Sequence, residues 1–124
     1  KVSIGFYNHK RSTLLSKNND NGIPVLDNDG DNIEEKLRFL SSCEYIVTNT
    51  YHGVYWATLL ERKVICVPFK SGLFSFKYLP AYSFNGELND DLFINAKKYK
   101  SVLEEARKLN LEFYNYLTSK YDLV

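Results

Sequence analysis

Apolar and polar positions alternate over residues 2–7, the two-residue period of a half-buried strand. Residues 8–22 are polar, end in clustered Asn and Asp, and read as a loop. A short apolar run over 23–26 predicts a second strand, and the Asp-Asn-Asp-Gly-Asp-Asn behind it predicts a turn. Asp31 with Glu34 three residues on predicts a capping box. Ile33, Leu37 and Leu40 then share one helical face, and that helix is expected to end near Ser41 or Ser42. Residues 45–48 predict a strand, and residues 51–60 a helix capped by Asn49 or Thr50. Residues 64–67 are rich in β-branched side chains and predict a strand that Pro68 closes. Residues 71–89 are aromatic and glycine-containing and read as irregular. Over 95–120 a helical stripe runs through Tyr99, Val102, Leu103, Ala106, Leu109, Phe113 and Leu117. No repeat or low-complexity segment interrupts this order.

Strands that alternate with helices predict βαβ units and a parallel sheet. The expected fold is a single α/β domain over 1–124, a Rossmann-like three-layer half-domain. Its sheet should be mostly parallel, with the long C-terminal helix packed on one face. Open parallel sheets bind ligands at the carboxyl ends of their strands. Residues 48–50 and 68–72 leave two such ends and are the candidate ligand loops.

Composition narrows the picture in four places. Sixteen basic residues nearly balance fifteen acidic ones, so bulk charge gives no nucleic-acid interface. The longest uncharged apolar stretch, 54–60, is too short to span a bilayer, and no signal peptide is expected ahead of it. Cys43 and Cys66 sit in or beside apolar runs, as small buried hydrophobes of a reduced compartment do, and two cysteines alone make no zinc site. The chain has no methionine and opens directly on a strand, as a fragment of a longer protein is expected to do.

Candidate chemistry gathers in Thr-Asn-Thr-Tyr-His-Gly, residues 48–53. With Asn49 or Thr50 as cap, His52 falls in the first helical turn, where unpaired amides and the helix dipole favour an anion. The ring can contact a phosphate or carboxylate, or donate a proton; it can equally be a histidine held by local hydrogen bonds. Gly53, with no side chain, is expected to let a ligand approach the backbone. Tyr51 stands at the mouth as a candidate contact, whereas Tyr55 and above all Trp56 are expected to pack against the sheet. Lys70 follows the fourth predicted strand and should lie beside the start of the His52 helix. Lys77, Lys10 and Arg11 are weaker basic candidates, lysine being most often a solvated charge. The acidic turn fails as a calcium loop, because Asn32 stands where glycine and Arg38 where glutamate is needed. No glycine-rich phosphate loop occurs. The first predicted strand is not followed by the acidic pair of a response-regulator receiver.

The stretch TNTYHGVYWATLL followed by RKVICVPF resembles the polysaccharide pyruvyl transferase family. The resemblance covers roughly residues 43–77, and the helix–strand approach over 32–53 fits as well. It implies a two-domain GT-B-like enzyme of which this chain is most of the C-terminal half. Such enzymes transfer a pyruvyl group from phosphoenolpyruvate to a sugar hydroxyl, in bacterial surface-polysaccharide synthesis. The family histidine maps onto His52, as proton donor or phosphate contact. Thr50 stands where many members have an arginine, and a basic residue of the next loop maps onto Lys70. The implied binding set is therefore Thr50, Tyr51, Gly53 and Lys70 around catalytic His52.

The resemblance also implies that the partners are phosphoenolpyruvate, a saccharide acceptor and the N-terminal half of the same protein. Neither a cofactor nor a metal is expected, and the implied location is cytoplasmic, at most peripheral to the inner face of the membrane. Two other functions fit the same residues. One is a sugar-nucleotide glycosyltransferase of the same architecture. The other is a non-catalytic α/β module that binds a partner through the aromatic loop over 73–84, whose rings suit either a protein interface or an acceptor sugar.

Overall fold

The computed structural model describes residues 3–9, 22–30, 32–68 and 71–121. Five strands, β1 (Ile4–Asn8), β2 (Val25–Asp27), β3 (Tyr45–Thr48), β4 (Lys63–Cys66) and β5 (Ala81–Tyr82), form one sheet. They lie in the order β2-β1-β3-β4-β5 and every pairing is parallel. This is the α/β, Rossmann-like architecture that the alternating pattern predicts. The chain order reverses at β1, which has β2 on one side and β3 on the other. Sheets of this kind open a ligand crevice at that reversal, outside the carboxyl ends of the strands.

β3 is buried along its whole length, Tyr45 and Val47 on one face and Ile46 on the other. Burial on both sides is why it reads as a nearly unbroken apolar run. Helices α1 (Ile33–Ser41) and α2 (Tyr51–Leu59) cover one face, setting Leu40, Val54 and Ala57 onto Tyr7, Ile46, Val64 and Cys66. Helix α3 (Asp90–Asn95) covers the other, where Leu92, Phe93 and the following Ala96 pack on Phe6, Val47 and Ile65. Each fully buried Ile or Val contributes about 1.5–3 kcal/mol relative to exposure. Cys43 and Cys66 are both free and buried.

Helix α4 (Val102–Tyr121) lies against α2, its first turns facing Tyr51, Tyr55 and Thr58 across a shared cavity. Val102 is buried, Leu103 and Ala106 are half-buried, and Leu109, Leu111 and Tyr116 are exposed. The predicted stripe therefore packs at its N-terminal end, and the side chains of Phe113 and Leu117 are outside the described set. Tyr99 precedes the helix, its hydroxyl donating to the Leu79 carbonyl at 2.8 Å. The helix starts later than predicted because Ser101 turns left-handed, with φ of 65°, just ahead of it.

β5 lies in the stretch read as irregular, and α3 lies over residues 90–94, which the pattern assigns to no element, and Asn95, the predicted start of the last helix. β5 has two residues and α3 six, too short to show a period. The cap of α1 is corrected by one residue. Asn32 holds it, its side chain accepting the Glu35 amide at 3.0 Å, while Asp31 lies outside the described residues. The acidic turn ahead of α1 is held by Lys36, one turn into the helix, which donates to the carbonyls of Asn28 at 3.2 Å and Gly30 at 2.6 Å. No helix among the described residues is long and apolar enough to cross a membrane.

Candidate functional site

β3 ends at Thr48, and α2 starts three residues later. The connection is held by hydroxyls. The Thr50 amide donates to Thr48 Oγ1 at 3.1 Å, the two threonine hydroxyls lie 2.9 Å apart, and Thr50 Oγ1 accepts the Gly53 amide at 2.8 Å. Thr50 is thus the N-cap, in extended conformation, and both threonines are buried. Gly53 is buried beneath them. A β-carbon there would collide with Oγ1 of Thr48 and of Thr50 and come within 2.8 Å of Tyr7 Cδ2. Close helix–strand packing accounts for this glycine, in place of the expected ligand approach along its backbone.

With the Thr50 and Gly53 amides bonded internally, the donors at the helix start are the amides of Tyr51 and His52, which have no acceptor within the helix. No acidic residue stands in that first turn to compete for them. His52 is exposed, as the pattern predicts for a first-turn position, and its ring lies on Trp56, with centroids 5.0 Å apart and planes 26° apart. Tyr51 meets it edge-on at 5.9 Å and stacks in turn on Phe76 at 4.9 Å. Phe76, Tyr51, His52 and Trp56 therefore form one row of rings that orients the imidazole. Trp56 packs against the core as expected and carries His52 on its other side. Tyr55 does not pack on the sheet: it is exposed and lines a cavity of about 330 Å³ with Tyr51, Phe76, Ala106 and Leu109, between α2 and α4.

The basic candidates divide. Lys77 forms an ion pair with Glu105 of α4 and lies over the Tyr78 ring at 5.3 Å. Tyr78 donates its hydroxyl to the same carboxylate at 2.5 Å. Lys77, then Tyr78, hold the Glu105 carboxyl below the usual range, and Glu105 raises the Lys77 ammonium. That lysine is directed to α4. Lys70, Lys10 and Arg11 lie outside the described residues.

Asn49, offered by its position only as a cap, is the residue the pattern underrated. It lies where the strand order reverses, wholly buried, and its Oδ1 accepts the His9 amide at 2.7 Å, joining the carboxyl ends of β1 and β3. Its Nδ2 is buried without a hydrogen-bond partner among the described residues. An unmet donor of this kind costs about 1–3 kcal/mol, which functional sites tolerate and packing alone does not select. Its one signal in the chain is that it is the first residue to follow a buried strand.

Together these residues place an exposed imidazole, two first-turn amides and a buried amide donor along the carboxyl edge of a parallel sheet. The set can accept an anion and exchange a proton with it. No group of three His, Cys, Asp or Glu among the described residues could hold a metal ion. Comparison with known protein families, with curated proteins and with solved structures returns no match.

Proposed function

We propose that the chain is the donor-side half of a pyruvyl transferase that moves a pyruvyl group from phosphoenolpyruvate to a sugar hydroxyl, in bacterial surface-polysaccharide synthesis on the cytoplasmic side of the membrane. The observation that carries this reading is the exposed His52 in the first turn of α2, at the carboxyl edge of β3. Phosphoenolpyruvate brings a phosphate and a carboxylate, which first-turn amides and the dipole attract. His52 delivers a proton to the methylene carbon, C3, leaving positive charge on C2. A sugar hydroxyl attacks C2 and loses its proton. Phosphate then departs with its bridging oxygen. A second hydroxyl of the same sugar closes a ketal at C2, or loss of a C3 proton yields an enol ether. Thr50, buried and bonded as cap, leaves the second charge of the donor to Lys70 and to the N-terminal half proposed for such an enzyme.

Titration of the ¹⁵N-labelled chain with phosphoenolpyruvate, inorganic phosphate and UDP-glucose tests the reading. Phosphoenolpyruvate should shift the Tyr51 and His52 amides saturably and more tightly than phosphate does. His52→Ala should weaken that binding at least tenfold, and in the transfer reaction should lower turnover about a hundredfold, as loss of a general acid does. Tighter binding of UDP-glucose would replace this reading with a sugar-nucleotide glycosyltransferase. No shift with any of the three would remove the anion site.

A further inference from the structure

Beyond His52, the carboxyl edge carries a second group of rings. Phe74 closes a 3-10 turn (Ser71–Phe74) after β4, Tyr82 ends β5, and Phe84 follows two residues later. The three centroids lie 5.0, 6.0 and 6.1 Å apart, with planes tilted by only 12–25°, so the rings overlap like shingles. Tyr82 anchors them, its hydroxyl donating to the Leu73 carbonyl at 2.7 Å. Phe74 is 48% and Phe84 75% exposed. Apolar faces left open in this way mark binding surfaces more often than chance.

What adjoins them defines the occupant. A cavity of about 270 Å³ is lined by Tyr82, Phe84, Asn85, Glu87 and Asn89. That is just under the roughly 300 Å³ at which pockets for drug-sized ligands begin, and suits a single ring. The rim is polar and its carboxamides are oriented. Asn85 Oδ1 accepts the Glu87 amide and Asn89 Oδ1 the Leu92 amide, both at 3.0 Å. These bonds leave the carboxamide NH₂ groups as donors and the Glu87 carboxylate as acceptor. Among the described residues no Lys, Arg or His lines the cavity, and the one charge there is negative. Phosphorylated and nucleotide ligands are therefore disfavoured.

We propose that this platform is a subsite for one neutral hexopyranose unit of a saccharide. The C–H face of the sugar lies on the rings and adjacent hydroxyls bond Asn85, Asn89 and Glu87. Naming it the acceptor side of the transfer rests on the donor reading above; binding of the sugar does not.

Saturation-transfer NMR with methyl β-D-glucopyranoside, methyl β-D-galactopyranoside and methyl β-D-mannopyranoside tests it, on the chain without donor. At least one glycoside should receive saturation, strongest at its axial C–H protons. Phe84→Leu keeps the apolar bulk, removes the π face and should cut the transfer at least fivefold; Phe84→Tyr should restore it. Glu87→Gln should weaken it by a smaller factor. No transfer to any glycoside, or equal transfer in Phe84→Leu, overturns the proposal. So does a dimer in sedimentation that Phe84→Leu dissolves with no sugar signal, since the platform would then cover a second copy. Sugar transfer without any phosphoenolpyruvate shift at His52 leaves the subsite standing and removes the donor reading; the converse removes the subsite alone.

Discussion

Gly53 and His52 adjoin in sequence and face opposite ways. Gly53 points into the seam between α2 and the sheet, against two hydroxyls and the edge of Tyr7. Gly53→Ala gains about 1 kcal/mol of helix propensity and loses more to overpacking, since backbone and buried threonines have little room to yield. The expected net loss is about 2 kcal/mol, read as a fall in urea midpoint at unchanged slope. His52→Ala, one residue away, removes an exposed ring and should change stability by no more than about 0.5 kcal/mol. Equal losses in the two variants would mean that the histidine, too, is structural.

At the scale of elements, α2 has no charged residue in its first or last turn to complement its dipole, so its ends rest on hydrogen bonds alone. The Thr50 cap holds the start. The end is a Schellman arrangement: the Arg62 amide reaches the Ala57 carbonyl at 2.9 Å and the Glu61 amide the Thr58 carbonyl at 3.0 Å. This requires a left-handed residue at position 61, and glutamate occupies it with φ of 59°. Glu61→Gly should therefore stabilise the chain by about 1 kcal/mol and raise Tm by about 4 °C. Glu61→Ala retains the β-carbon and should give no such gain. If both variants behave alike in thermal unfolding, strain at this position is not what limits the helix end.

At the scale of the whole molecule, helices cover both faces of the sheet at its centre, and two ionisable groups are buried there. Burial pushes the Tyr7 hydroxyl and the Cys66 thiol each up to about 12, from ordinary values of 10.0 and 9.0. A folded-state value above the unfolded one means that the unfolded chain releases its proton first. The contribution of each group is fully present below its ordinary value and is lost as pH rises toward 12. Stability should thus fall along an alkaline limb beginning near pH 9, and Tyr7→Phe should flatten the part above pH 10. At pH 8 the native chain should resist a thiol reagent at both Cys43 and Cys66, and both should react once denaturant unfolds it. Rapid labelling of the native chain would contradict the two-sided core.

Local rules made part of this legible in the chain. β3 stands where its apolar run lies between polar breaks, and α2 starts where a threonine can cap it, because periodicity and capping act within a few residues. The parallel order followed from alternating strands and helices, and with it the edge on which His52 opens. Other features depend on neighbours distant in sequence. The reason for Gly53 is Tyr7 and Thr48, the partner of Lys77 is Glu105, and the unmet donor of Asn49 depends on what β1 places beside it. α3 and β5 are shorter than any period that could reveal them. The rings of residues 74, 82 and 84 meet only because β5 pairs with β4. Sequence by itself determined where the longer helices and strands lie and at which end of the sheet His52 stands, since these depend on short-range preference and apolar period. Tertiary structure alone decided which side chains share a space, because that is set by strand pairing and crossover, through contacts that no local pattern encodes.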